Sequence, residues 1–198
     1  LVCSLLKRDY EVYALVRKTS GHLKELPGDD RLHLIYGSLD ELELLESAGT
    51  ADVFYHFAWD GSGNAGRADE TVQRKNVTYS LNALNTASKL GCGYFVFPGS
   101  QAEYGKKYDE ISEDSSCSPV SPYGRAKLEF SDKAEELCRT ASVKFIHLRI
   151  FSVYGYGDRE GTLVDSCIKG FNNGVQVKLG SCLQKWNYLY IDDFTELV

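Results

Sequence analysis

The chain has 198 residues, 43% of them hydrophobic and 25% charged, and carries a net charge of −6. This is the composition of a soluble globular protein with enough chain for one sizeable core, and the acidic balance argues against nucleic acid or an anionic membrane as the main partner. No apolar run approaches the ~20 residues of a membrane span, no basic-then-apolar leader opens the chain, and the scattered cysteines, without a Cys-x-x-Cys pair, speak against zinc or a disulfide framework and for thiols in a reducing cytoplasm.

Residues 1–8 have helical apolar spacing with no cap before them, so the chain is expected to start inside a helix with sequence missing upstream. Residues 11–16 read as a buried strand ending on the basic pair Arg17 and Lys18. Leu32–Tyr36 reads as a second strand, followed after Gly37 by an acidic amphipathic helix over 40–48. A third strand, over 53–57, is apolar except for His56. Trp59, Asp60 and a glycine-rich loop to Gly66 come next, then a helix over 71–89. A fourth strand over 94–97 runs into Pro98, Gly99 and Ser100; a helix over 123–139 and a fifth strand over 144–148 follow. Beyond Arg149 the spacing predicts a helix over Leu163–Asn172, a short strand over 176–178, another over 188–191, and a last helix capped by Asp192 and Asp193. Strands alternating with helices imply an α/β fold with a doubly wound parallel sheet. The alternation is regular over 1–150 and becomes less so over 151–198. Ligands of such sheets bind outside the carboxyl ends of the strands, where His56, Ser100 and residues 149–155 fall.

Residues 121–127, Ser-Pro-Tyr-Gly-Arg-Ala-Lys, place Tyr123 and Lys127 one turn apart at the start of a helix, hence on one face. A phenol titrates near pH ~10 and an adjacent cation favours its ionised form, so the pair can move a hydroxyl or ketone proton near neutrality. The same spacing also occurs on solvated helices, and the rest of the chain decides between them. Ser100 stands at a strand end, where its hydroxyl could bind the oxygen that the phenol protonates; a turn serine is the alternative. Residues 61–66 spell G-x-G-x-x-G, yet they follow the third strand with no acidic partner about 20 positions on, so they read as a mobile loop over the site and not as a dinucleotide fingerprint. His56 reads as a satisfied strand-end histidine or a site residue, and Trp59 as a substrate wall or a part-buried aromatic. Asp192 and Asp193 read as helix capping, not a metal site, since no third carboxylate accompanies them.

In order, the segments 13–17, 56–58 with Asn76, 97–105 (Phe-Pro-Gly-Ser-Gln-Ala-Glu-Tyr-Gly), 121–127, 148–155 (Leu-Arg-Ile-Phe-Ser-Val-Tyr-Gly) and 188–193 (Tyr-Leu-Tyr-Ile-Asp-Asp) resemble the extended short-chain dehydrogenase/reductase superfamily, in its NAD-dependent epimerase/dehydratase branch acting on nucleotide sugars. The resemblance covers nearly the whole chain. It implies Tyr123 as acid/base, Lys127 as the residue that binds the nicotinamide ribose and lowers the phenol's pKa, and Ser100 as the group that orients the substrate oxygen. It further implies NAD or NADP as cofactor, lined by Arg17, His56, Ala58, Tyr123 and Lys127, and a nucleotide-sugar substrate contacted by Trp59, Gln101 and Ser152. On the same resemblance the chain comprises a Rossmann-like NAD(P)-binding domain over 1–150, without its first strand and the glycine-rich phosphate loop, which would lie upstream of Leu1, and the opening of a smaller substrate domain over 151–198.

The departures from the family pattern narrow the activity. Sugar dehydratases of this branch carry Thr-Asp-Glu where Ser100, Gln101 and Ala102 stand, so dehydration is not expected. The family's Asn is Ser152 here, one adenine contact reads Ser38, and Trp186-Asn187 replaces an Arg-Asp pair within 184–188, a segment that resembles deoxysugar epimerases and reductases. The expectation is a 4-epimerase working through a transient 4-keto sugar. The alternatives are an NAD(P)H-dependent 4-keto-deoxysugar reductase and a nucleotide-binding module without turnover. Arg17 and Lys18, with no carboxylate until Glu25, lean the cofactor toward NADP. A cytoplasmic homodimer completes the expectation.

Overall fold

The computed structural model describes residues 1–183 and 185–198, so Gln184, the first residue of the 184–188 segment, lies outside the described residues. The chain divides into two compact units, Val2–Ile150 and Phe151–Val198.

In the first unit, helix α1 (Val2–Lys7) precedes strand β1 (Val12–Val16), which pairs in parallel with β2 (Leu32–Tyr36) from Val12↔Leu32 to Val16↔Tyr36. A separate parallel sheet has the order β3-β4-β5, with β3 at Val53–Tyr55, β4 at Tyr94–Ser100 and β5 at Lys144–Ile150. Parallel pairing needs long crossovers. Here they are α3 (Glu70–Lys89), preceded by the short α2 (Asn64–Ala68), and α4 (Pro122–Cys138). Phe95, Phe97 and Phe130 have no exposed surface and, with Ala83, Ala87 and Ala134, form the centre of the core. The rings of Phe97 and Phe130 meet edge to face at 4.5 Å, the arrangement that aromatic quadrupoles favour.

The two long helices begin where their caps dictate. Asp69 accepts from the amides of Thr71 (2.9 Å) and Val72 (3.1 Å) to start α3, and Ser121 accepts from Gly124 N at 3.1 Å to start α4, with Pro122 inside the first turn. The buried face of α4 runs through Tyr123, Ala126, Lys127, Phe130 and Ala134, so the pair one turn apart shares a face as its spacing requires. That of α3 runs through Gln73, Asn76, Val77, Ser80, Ala83, Leu84 and Ala87. Its polar members, apart from Thr86, which is also buried, lie toward its N-terminus.

Several elements differ from the sequence expectation. Residues 40–48 form a tighter 3₁₀ turn, Leu42–Ala48, because Glu41 bonds back to the amide and hydroxyl of Ser38 and Gly49 at φ 80 ends the turn. β3 stops at Tyr55, whereas β4 and β5 run on to pair Ser100↔Ile150. In the second unit, β6 (Ser152–Tyr154) pairs in parallel with β7 (Tyr188–Tyr190), and the amphipathic α5 (Leu163–Asn172) falls where its spacing puts it. No strand forms over 176–178; Val177 instead packs where a side chain on Gly170 would stand. Asp192 and Asp193 lie inside the first turn of α6 (Ile191–Leu197), whose N-cap is Tyr190, so they favour the helix dipole without capping it. Among the described residues no helix is long and apolar enough to cross a membrane.

Candidate active site

The carboxyl end of β4 organises the candidate site. The Val96 carbonyl accepts from His56 N at 3.0 Å, just past β3. Two residues on, Pro98 faces the same way, beyond the last residue that β3 pairs. Its missing N–H therefore costs the sheet nothing there, and its carbonyl is left for the Lys127 ammonium, which donates to it at 2.8 Å. That ammonium lies over the Trp59 ring at 3.7 Å and near the Phe97 ring at 4.5 Å, an aromatic wall that partly offsets its desolvation. Lys127 is 2% exposed. Burial, working against Glu103 and with Arg67, brings its pKa from 10.5 down to about 7.

Tyr123 is 8% exposed. Its ring packs edge-on to Trp59 at 6.1 Å, and the Arg67 guanidinium lies 4.6 Å from the ring centroid. Burial pushes the phenol up from its ordinary value, opposed by Arg67 and by a hydrogen bond with the Ser100 side chain. This direction is opposite to the sequence expectation. Lys127 is 5.7 Å from the phenol ring and bonds to Pro98, so it does not set the phenol's proton affinity here. Ser100 ends β4, and its hydroxyl accepts from Ala102 N at 3.2 Å. Gly124, next to Tyr123, is there for space: a Cβ would stand 2.5 Å from the Ala102 carbonyl. Ser100, Tyr123 and Lys127 thus meet at the end of β4.

The other expected residues distribute as follows. His56 is buried, with Nε2 2.9 Å from Ser80 Oγ and the ring against Phe95, Phe97 and Phe130. Burial, aided by Lys127, lowers its pKa to about 3, so it is a neutral core residue and not an acid or base. Ala58 is exposed after β3, and Gln101 is half-buried in the 3₁₀ turn Gln101–Glu103. Arg17, at the end of β1, reaches Asp60 at 3.6 Å. The 61–66 segment enters α2 and is tied down: Gln73 donates to the Gly66 carbonyl at 2.8 Å, Arg67 Nε to the Ser62 carbonyl at 2.8 Å, and a Cβ on Gly66 would overlap Gly61. Asn76 holds Asp60 by both its amide and its carbonyl, and Trp59 Nε1 donates to Gln73 at 2.8 Å. Within the second unit, Ser152 Oγ accepts from Trp186 Nε1 at 2.6 Å. Among the described residues no cluster of three metal-ligating side chains occurs.

Sequence reading missed Gln73, Arg67 and Glu103. Glu103 carried a usable signal, since Ser100 and Glu103 have the S-x-x-E spacing of a capping box, and both of its reciprocal bonds are present.

The family model described as "NAD dependent epimerase/dehydratase family" matches residues 1–198. Among curated proteins, an uncharacterized UDP-glucose epimerase of Bacillus subtilis strain 168, YtcB, is 27% identical over 179 residues, covering 87% of this chain and 55% of the relative. Among solved structures, the UDP-N-acetylglucosamine 4-epimerase of Methanobrevibacter ruminantium M1, in complex with UDP-N-acetylmuramic acid, superposes with a TM-score of 0.85 at 21% identity, over 98% of this chain and 66% of that one. The UDP-glucuronic acid 4-epimerase of Bacillus cereus, in complex with NAD, superposes with a TM-score of 0.79 at 24% identity, over 98% and 66%. The chain spans about half the length of the curated relatives it matches.

Proposed function

Because the chain belongs to the NAD-dependent epimerase/dehydratase family, we propose that the full-length protein is an NAD(P)-dependent nucleotide-sugar 4-epimerase. One observation carries the reading. A tyrosine, a lysine and a serine, drawn from α4 and the end of β4, converge where a parallel sheet presents its strand ends to ligands. The names of the relatives supply the substrate class.

The chemistry of the donors fits a dinucleotide. A buried ammonium whose described hydrogen bond is to one carbonyl keeps donors for ribose hydroxyls, and Arg17 supplies a cation at the β1 end. Lys127, Tyr123, Arg17 and the 56–58 segment would hold the cofactor. When bound, NAD(P) supplies a reversible hydride acceptor, which no side chain offers. The chain's own residues supply proton transfer and orientation. Tyr123 would take the proton of the sugar 4-hydroxyl as that carbon is oxidised to the 4-keto sugar, and return it to the oxygen when the carbon is reduced again. Ser100 would hold the same oxygen by a hydrogen bond. Lys127, in charged form, would favour the phenolate, and Trp59 would exclude water from one side. Gln101 and Ala102, in place of an acidic pair, leave no carboxylate at those positions to drive elimination.

The test is to incubate the full-length protein with UDP- or CDP-sugars and NAD⁺, and in parallel with the corresponding 4-keto sugars and NAD(P)H. Inversion at C4 with no net change in nucleotide redox state is expected. Stoichiometric NAD(P)H consumption would replace this reading with a 4-keto-sugar reductase, and binding without conversion would replace it with a nucleotide-binding module.

A further inference from the structure

Glu103 has no part in the chemistry above, yet its side chain has no exposed surface at all. A carboxylate so placed is costly unless it is both paired and hydrogen-bonded, and this one is. Oε1 accepts from Ser100 N at 2.6 Å. From β5, His147 Nε2 approaches Oε2 to 3.1 Å and Arg149 Nε approaches the same oxygen to 3.3 Å. Arg149 is itself braced, donating to the Tyr104 hydroxyl at 3.1 Å and to the Glu113 carbonyl at 3.0 Å. Gly99 makes the arrangement possible, since a Cβ there would overlap His147 and stand 2.6 Å from the Glu103 carboxylate. A valine or leucine at 103 would fill a core equally well. What a carboxylate adds is a bond to the backbone of one residue, Ser100, whose hydroxyl meets the phenol.

We propose that Glu103 is the positioning residue of this site: anchored on β5 by His147 and Arg149, it grips the Ser100 amide and fixes the turn that holds the serine hydroxyl toward Tyr123. The inference rests on Ser100 and Tyr123 being the catalytic pair. Glu103 acts through Ser100 and touches no substrate.

Two substitutions separate reach from charge. Glu103→Asp keeps the charge but is one methylene short of the Ser100 amide. Glu103→Gln keeps the length but gives up the ion pair with Arg149. Each is made in the full-length protein and again in a Ser100→Ala background, with kcat, KM, cofactor affinity and thermal midpoint measured. Expected for Glu103→Asp is a fall in kcat of roughly 10- to 100-fold at little-changed KM and cofactor affinity, shrinking to less than about threefold in the Ser100→Ala background, because residues acting as one unit are non-additive. Wild-type kcat in Glu103→Asp, or the same loss in both backgrounds, would overturn the proposal and leave Glu103 as a tie between strands. Should Glu103→Asp not fold, Glu103→Met, which keeps the length but offers the Ser100 amide no oxygen, decides on the same criterion. Full activity of Tyr123→Phe and of Ser100→Ala would instead show that the catalytic reading itself had failed.

Discussion

Substituting Lys127 by methionine should make the ligand-free protein more stable at neutral pH, although it removes a hydrogen bond from a buried site. Burial brings the ammonium's pKa from 10.5 to about 7, and at ~1.4 kcal/mol per tenfold change in proton affinity the full difference is about 5 kcal/mol. The sign follows from linkage. Between the two values the unfolded chain holds the proton and the folded chain does not, so stability rises with pH across that window, is fully present above 10.5 and is lost as pH falls through 7. At pH 7 the folded protein therefore bears about 4 kcal/mol of this cost, and at pH 9.5 only about 1.5 kcal/mol. Methionine keeps most of the packing against Trp59 and Phe97 and leaves the Pro98 carbonyl without its donor, a loss of about 1–2 kcal/mol that does not depend on pH. In a Trp186→Phe background, Trp59 is the remaining one of the two tryptophans, and its fluorescence follows urea unfolding around the site. The advantage of Lys127→Met over wild type should be some 2–3 kcal/mol at pH 7 and should shrink by about as much at pH 9.5. A difference that stays constant between these pH values would show that the ammonium is not desolvated in the folded protein.

Tyr123→Phe should preserve fold and cofactor binding while lowering turnover by ~10²- to 10⁴-fold, the worth of one positioned acid/base; single-turnover assays beside cofactor titration check both halves. His56, held neutral with a pKa of about 3, resists a proton that the unfolded chain accepts below about pH 6.5, so its contribution is present above that pH and lost as pH falls toward 3. Between pH 7 and 4.5 wild type should lose about 2–3 kcal/mol more than His56→Gln in urea midpoints, and parallel losses would refute the assignment. Gly105 (φ 73) and Gly91 (φ 72) have the same left-handed backbone, but only at Gly105 would a Cβ overlap a neighbour, the Ser118 carbonyl. Alanine should therefore cost about 1 kcal/mol at 91 and at least twice that at 105, read from thermal midpoints; equal shifts would count against the contact.

What could be read in advance was what repeats along the chain. The 3.6-residue spacing of α3, α4 and α5 and the apolar runs of β1 and β2 placed those elements to within a residue or two, because a periodic face has one way to be buried. The meeting of Tyr123, Lys127 and Ser100 was legible for a related reason: two of the three share a helical face, and the third ends a strand beside it. The ends of β4 and β5 were not legible, since they extend by pairing with each other through Pro98 and Gly99, residues whose local preference is for turns. Nor was the anchoring of 61–66, because its partner Gln73 lies on the next helix and a glutamine on a helix face has no visible destination in sequence.

The direction of the Tyr123 shift shows where spacing alone misleads. Two side chains one turn apart share a face, but what each does to the other's proton depends on what else lies on that face. Here the ammonium is turned to Pro98 and Trp59, burial raises the phenol, and Arg67 and Ser100 bring it part of the way back. A catalytic phenol near neutrality therefore requires Lys127 to be charged and nearer the phenol oxygen. In the ligand-free protein burial holds the ammonium close to losing its proton, opposed by the buried Glu103 carboxylate. A ligand that gave this ammonium oxygen partners would raise its pKa again and relieve the strain that Lys127→Met measures. The stability the lysine costs without ligand is thus differential binding energy for one that meets it, and saturating cofactor should narrow the gap between wild type and Lys127→Met at pH 7. A gap that cofactor leaves unchanged, under conditions where it demonstrably binds, would place Lys127 outside the cofactor site.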